Sequence, residues 1–365
     1  MKRALFLAAV ALLLVGAPRL ARLLLAYLLV LELLAPGLRP TLQAITVSEL
    51  PIGSGVAHLY RGAAPPCGGL VVVHGLSRQG HAHPSFQRMG RALARVGFVV
   101  LAPDFPDLRT FHLAESDVAV VVDAVKALGE ATAGPLGILG FSFGAGPALL
   151  AAADPEIRDR ITLVGSFGGY WDLSHVIVFI TTGWYEEDGQ WRRARQEEYN
   201  RWKLLAALTP YVAEPKEQRR LQALVELKLA NPGEDIAGEA SRLTGEGKTL
   251  LALVENRERE RIPALMEALS PTIREPLRRL SPASRISLVR ARLLIAHGAD
   301  DSSIPYTESV RLARATPVLG RLVIFGGLAH AFPSEAGWGR RLAQAREVQR
   351  LVWLLDDLLG VCQRR

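Results

Sequence analysis

Three residues far apart in the chain, Ser142, Asp301 and His330, each follow an apolar run and stand two or three residues from a glycine. The serine lies in Gly140-Phe141-Ser142-Phe143-Gly144, between the apolar Gly137-Ile138-Leu139 and the small-residue stretch Ala145 to Ala153. A serine between two glycines, on a turn from strand to helix, has its hydroxyl held clear of neighbouring side chains. The aspartate ends the stretch Leu293-Leu294-Ile295-Ala296-His297-Gly298-Ala299-Asp300-Asp301. The histidine closes Leu322-Val323-Ile324-Phe325-Gly326-Gly327-Leu328-Ala329-His330. A serine hydroxyl is a weak nucleophile near neutral pH, so a base must take its proton during attack. Histidine, with an ordinary pKa near ~6.5, suits that task, and a carboxylate fixes its tautomer and stabilises the imidazolium.

A fourth stretch belongs with these three. Val71-Val72-Val73-His74-Gly75 reads as a buried strand that breaks into a loop. That loop can aim the backbone N–H of Leu76 at a developing oxyanion, and Phe143, next after the serine, can supply a second N–H.

The chain order Ser142, Asp301, His330 is that of the α/β-hydrolases and differs from the orders of the chymotrypsin and subtilisin groups. On these four motifs the sequence resembles the α/β-hydrolase superfamily over residues 43–168 and 288–360. The resemblance implies an α/β fold: a mostly parallel sheet with helices on both faces, a helical cap insertion and, here, an apolar N-terminal helical segment. It implies Ser142 as nucleophile, His330 as base, Asp301 as orienting acid, and Leu76 and Phe143 as the oxyanion hole. Asp301 matches the family's H-G-x-x-D pattern counted from His297. Asp300, one residue earlier, is better suited to shaping the turn. Asp172 is a remoter alternative, because some members carry the acid after the preceding strand.

Serine at the nucleophile position argues against the members that use aspartate on epoxides or carbon–halogen bonds. The resemblance points instead to an acyl-enzyme and to hydrolysis of a carboxylic ester, with a small-molecule or lipid-like hydrophobic acyl substrate. An acyltransferase or thioesterase would use the same three residues, and a non-catalytic binding protein would keep the fold but lose one of them. No cofactor is implied.

The remaining histidines carry plainer readings. His74 and His297 sit in strand-end His-Gly pairs and are expected to brace loops. His81 and His83 have a spacing that can bind a metal, but no Cys or carboxylate partner accompanies them, so no metal is expected.

Composition sets the wider frame. Apolar residues make up 49% of the 365 residues and charged residues 22%, enough for one large α/β core with an insertion. The formal charge of +7 comes without a dense basic run, which argues against nucleic acid as a partner. Cys67 and Cys362, the two cysteines, form no framework, and nothing in their positions pairs them. At the start, Met1-Lys2-Arg3 precedes the apolar Ala4 to Ala17; Arg19 and Arg22 interrupt; Leu23 to Ala35 is apolar again except for Glu32. The first run has the length of a signal-peptide core and is short for a span. Residues 1–38 are therefore expected to act as a membrane anchor or signal-like segment, giving a membrane-associated protein. Secretion or periplasmic release after cleavage is the alternative, and a structural helix pair a third reading.

Along the chain, residues 39–168 read as the first part of the core and 288–365 as the second. Strands are expected at Ile45–Val47, Val56–Tyr60, Leu70–His74, Phe98–Leu101 and Ile161–Val164, and helices at Phe86–Val96 and Ser116–Leu128, the latter stopped by Gly129. Between 169 and 287 the alternation is lost, and charged helical stretches are expected at Trp191–Leu208, Pro215–Leu229 and Thr249–Leu269. The aromatics Trp171, Phe179, Trp184, Tyr185 and Trp191 at its start are expected mostly in the insertion's core, with one or two facing a pocket.

Overall fold

The computed structural model describes residues 19–33, 44–53, 55–326 and 338–363. Residues 19–33 are helical (α1). Strands β1 (Thr46–Ile52), β2 (Gly55–Arg61) and β3 (Gly68–Val73) follow, then α2 (Pro84–Arg95), β4 (Phe98–Pro103), the single turn α3 (Pro106–Arg109), α4 (Ser116–Ala131), β5 (Leu136–Phe141), α5 (Ala145–Ala152) and β6 (Ile161–Phe167). An insertion comes next: α6 (Leu173–Thr182), the hairpin β7 (Trp184–Glu187) and β8 (Gln190–Arg193), α7 (Glu198–Leu208), α8 (Pro215–Ala230), α9 (Ala237–Ser241), α10 (Gly245–Glu255), α11 (Ile262–Ala268) and α12 (Pro271–Arg279). The core resumes with β9 (Arg292–Gly298), α13 (Thr307–Ala315), β10 (Leu319–Phe325) and α14 (Trp338–Leu359).

Eight strands form one sheet in the order β1-β2-β4-β3-β5-β6-β9-β10. β1 and β2 pair antiparallel, β2 meets β4 antiparallel, and every pair from β4 to β10 is parallel. β3 and β4 are buried at every position, as strands covered on both faces must be. One face is covered by α4, α5 and the insertion, through residues such as Val121, Leu149 and Ile177. The other is covered by α1, α2 and α14, through Ala26, Leu29, Leu93, Val352 and Leu355. This is the mostly parallel α/β architecture with a helical insertion that the sequence motifs imply.

Several local expectations are refined. α4 runs past Gly129 to Ala131, because burial of Val121, Val125 and Leu128 outweighs the small helix cost of one glycine. The stretch Trp191–Leu208 is not one helix: its start is β8, and the helix begins at Glu198. Thr249–Leu269 is likewise split, with Asn256 capping α10 and a further short turn before α11. Helices α6 and α12 were not legible, because both are short and α12 carries Pro276 inside it.

Two findings concern the chain ends. Cys67 and Cys362, 295 residues apart, form a disulfide that ties the start of β3 to the turn after α14. Nothing in the sequence paired them, since proximity arises only when α14 lies across the sheet. α1 is docked on the body: Ala26, Leu29 and Val30 are buried, Arg22 pairs with Asp356, Tyr27 donates to the Gln349 side chain, and Glu32 pairs with Arg95. Among the described residues no helix is long and apolar enough to cross a membrane. The first apolar run, Ala4 to Ala17, lies outside the described residues.

Candidate active site

Ser142 follows β5 directly and has φ +51, in the left-handed region that a non-glycine residue rarely occupies. Such strain persists only where the surroundings enforce it. Here they do. A Cβ on Gly140 would stand 2.5 Å from the Ala145 Cα, and one on Gly144 would run into the His74 carbonyl. A Cβ on Gly75 would lie 2.8 Å from the Ser142 Cβ and 3.4 Å from its Oγ. The His74-Gly75-Leu76 loop thus crosses directly over the serine turn, and Leu76 and Phe143 border the same cavity as Ser142.

That cavity has a volume of about 580 Å³. Its floor is the carboxyl edge of the sheet; its roof is the insertion. From α6 come Leu173, Val176, Ile177 and Ile180, and from α7 Asn200, Lys203, Leu204, Ala207 and Leu208. The α7 set repeats at three and four residues, so one face of that helix looks into the cavity. Leu33, at the end of α1, reaches it from the other side. None of Trp171, Phe179, Trp184, Tyr185 or Trp191 lines it; the aromatic contributions are Phe86, Phe141 and Phe143. Phe179 is instead core, while Trp184 and Trp191 receive the Arg259 guanidinium on the outside of the insertion.

Asp301 lies beyond the carboxyl end of β9, and β9 pairs with β6, the neighbour of β5. Its carboxylate accepts the backbone N–H groups of Ser303 (2.7 Å) and Ile304 (3.0 Å), with the His297 ring 3.5 Å away. Burial pushes its pKa up, but the His297 ring and the two N–H donors outweigh it and hold Asp301 below the ordinary aspartate range. His297 also bonds to the Ser309 hydroxyl (2.7 Å) and the Ile304 carbonyl (3.0 Å), so it braces this loop. Asp300 is exposed. Asp172 caps α6 by accepting the Ser174 N–H at 2.7 Å. His330 lies outside the described residues.

His74 is buried, with Nδ1 2.8 Å from the Gly75 carbonyl and Nε2 without a partner among the described residues. Burial pushes its ring down to about 4, against the pull of that carbonyl, so it is neutral near pH 7. His81 pairs with Asp104 (3.1 Å), and His83 caps α2 by accepting the Ser85 N–H (3.2 Å). Each thus has a structural partner, and among the described residues no cluster of three or more His, Cys, Asp or Glu is placed to hold a metal.

The sequence reading missed Glu308. It is fully buried on α13 and accepts the N–H groups of Trp171 (3.1 Å) and Asp172 (2.8 Å), the His175 ring (3.0 Å) and Arg311 (3.1 Å). It clamps the point where the chain leaves the sheet for the insertion. A glutamate in a charged amphipathic helix carries no signal of this in the sequence.

The family model for the alpha/beta hydrolase family matches residues 70–345, and the chain belongs to that family. Among solved structures it is similar to a 2-hydroxy-6-oxo-6-phenylhexa-2,4-dienoate hydrolase from Rhodococcus sp. strain RHA1: 20% identity, 84% of this chain and 99% of that one, TM-score 0.44. It is also similar to a puromycin-hydrolyzing peptidase of Mycobacterium tuberculosis, with 16% identity over 90% of this chain and 40% of that one, TM-score 0.50. A third likeness is to the esterase domain of a Rhodothermus marinus protein: 15% identity, 86% and 98% coverage, TM-score 0.45. At 16% identity the likeness to the puromycin-hydrolyzing peptidase shows the fold alone. No curated protein matches the chain.

Proposed function

We propose that this hydrolase cleaves carboxylic esters with a hydrophobic acyl or lipid-like part, through a Ser142–His330–Asp301 triad and an acyl-enzyme. The observation that carries this reading is the strained Ser142 turn, φ +51, opening onto a mostly apolar 580 Å³ cavity. His330 takes the Ser142 proton as Oγ attacks the ester carbonyl, and the Leu76 and Phe143 N–H groups hold the oxyanion. Collapse expels the alcohol, protonated by His330; water then attacks the acyl-enzyme with His330 again as base. The low-lying Asp301 carboxylate stays ionised and can stabilise the imidazolium.

Fluorophosphonate labelling tests the reading, together with hydrolysis of 4-nitrophenyl acyl esters. Native chain is expected to label and turn over; Ser142→Ala should abolish labelling and lower kcat by at least about a thousandfold. A folded native chain that neither labels nor hydrolyses would sink the proposal. If acyl groups pass to an added alcohol or thiol faster than to water, the protein is an acyltransferase on the same site.

We further infer a place at a membrane surface in an oxidising compartment. The disulfide supports the compartment, because such bonds persist where thiols are not kept reduced. The outer face of α1 supports the surface: Leu20 and Leu24 are 71% and 61% exposed, and Trp353 of α14 is also exposed. Carbonate-washed membranes treated with a maleimide-polyethylene glycol, without reductant, test both. The chain should stay with the membranes and shift in mass only after reduction; release by the wash, or a shift without reductant, would refute the corresponding half.

A further inference from the structure

The roof of the cavity carries a cation with no counter-ion among the described residues. Lys203 lies on the α7 face that looks inward, among aliphatic side chains. Among the described residues, no carboxylate lies within ion-pair distance of its ammonium, and no aspartate or glutamate lines the cavity. Its neighbours are rings: the ammonium sits 4.6 Å from the centroid of Tyr199 and 5.8 Å from that of Phe111. Aromatic faces stabilise a cation without neutralising it. Phe111 is held at φ +65; of the three non-glycine residues with positive φ among the described residues, one is Ser142 and another is this neighbour of Lys203. Burial pushes Lys203 below the ordinary lysine range, with the exposed Glu197 pulling weakly the other way, which is how an ammonium short of solvation behaves.

The ammonium is also fixed relative to the serine. One turn before it on α7, the Asn200 amide donates to the Ser302 carbonyl (2.9 Å) and accepts the Ser303 hydroxyl (3.3 Å). Those residues belong to the loop that holds Asp301. The roof helix is therefore tied to the acid loop at the position that sets where Lys203 stands.

We propose that Lys203 is an anion-recognising residue, and that the ester cleaved at Ser142 carries a carboxylate on its apolar body. This rests on the serine-hydrolase reading above. An apolar cavity with an unpaired ammonium on its α7 wall favours a ligand that is apolar along its length and anionic where it meets Lys203; Arg88, the other cation of the lining, stands on α2 and donates to the Ser85 hydroxyl (3.0 Å). A carboxylate matches the single ammonium of Lys203, whereas a phosphate, with more charge and three oxygens, calls for several donors at one point. The neutral remainder of the substrate meets the α6 aliphatic wall.

Paired esters of one length test this: the mono-4-nitrophenyl ester of octanedioic acid against 4-nitrophenyl octanoate, and 4-carboxyphenyl octanoate against phenyl octanoate, which place the anion on the alcohol side. For the native chain, the anionic-to-neutral ratio of kcat/KM in one pair should exceed that of Lys203→Met by about tenfold or more, and Lys203→Arg should restore part of it. A ratio unchanged in Lys203→Met for both pairs would overturn the proposal. Binding of the monomethylamide of octanedioic acid, followed by calorimetry on native chain and Lys203→Met, reads the subsite without turnover. Lys203-dependent binding by a chain that hydrolyses nothing would keep the subsite and remove the hydrolase reading. Ser142-dependent hydrolysis with no Lys203 dependence in either assay would do the reverse.

Discussion

Around Ser142 the backbone is so closely packed that glycine is required by volume, whereas the roof across the cavity is held by buried charge. At the serine turn, Gly140 and Gly144 leave no room for a methyl group, and the loop bearing Gly75 crosses within van der Waals reach of Ser142. In the insertion, the buried Arg201 donates to the carbonyls of Val254 (2.8 Å), Asn256 (2.9 Å) and Thr181, joining α6, α7 and α10. Glu308 fastens the insertion's first residues to α13. Steric exclusion fixes geometry to a fraction of an ångström, which a nucleophile needs. Hydrogen-bonded charge fixes topology but leaves the helices' facing side chains free to vary, which suits a wall that selects substrate.

The contrast can be broken at its stiff end first. Gly144→Ala puts a methyl group against the His74 carbonyl and must move either the serine turn or the His74-Gly75-Leu76 loop. Its kcat should fall by about a hundredfold or more, because misplacement by about 1 Å costs that much. Steady-state kinetics on a neutral aryl ester checks this; near-native kcat would mean that the turn is not the rigid element described here.

Glu308→Gln tests the roof. It leaves His175 and Arg311 without their buried anion and should destabilise the fold by about 3 kcal/mol. Hydrogen exchange should show the loss concentrated in residues 170–183, with β5 still protected. Uniform loss across the sheet would show that roof and floor unfold as one unit.

The smallest effect concerns the seam between them. Asp117, buried in α4 beneath the insertion, is pushed up to about 7 by burial, against its bond to the Ala114 N–H (3.3 Å). In the unfolded chain it titrates near ~3.9. Between those values the folded state holds a proton that the unfolded state has released, so its contribution to stability is complete below about 4 and is lost as pH rises through about 7. The thermal midpoint of Asp117→Asn should fall less from pH 5 to pH 8 than that of the native chain. Parallel slopes would remove Asp117 as the cause.

The motif residues were legible in the sequence because each obeys a local rule. Strand–turn–helix with flanking glycines announces Ser142, and apolar runs ending in His-Gly announce the strand ends at His74 and His297. Within the insertion α8 was legible as the expected stretch Pro215–Leu229, whereas β7, β8, α6 and α12 were not: they are short, and their patterns are overridden by packing. The aromatics at the insertion's start were expected mostly in its core, where Phe179 lies; the one or two expected at a pocket are not there, because aliphatic α6 lines the cavity, and Trp191 faces outward.

The sequence by itself determined the fold family, the candidate nucleophile and the chain order of the candidate acid and base, because those depend on local backbone constraints and on chain order. Tertiary structure alone decided that Cys67 meets Cys362, that Glu308 clamps the insertion, and that Lys203 faces the cavity with no carboxylate paired to it among the described residues. Each of these depends on which residues distant in sequence come within a few ångströms, and the free energy of such meetings is set by burial and charge, which local sequence does not encode.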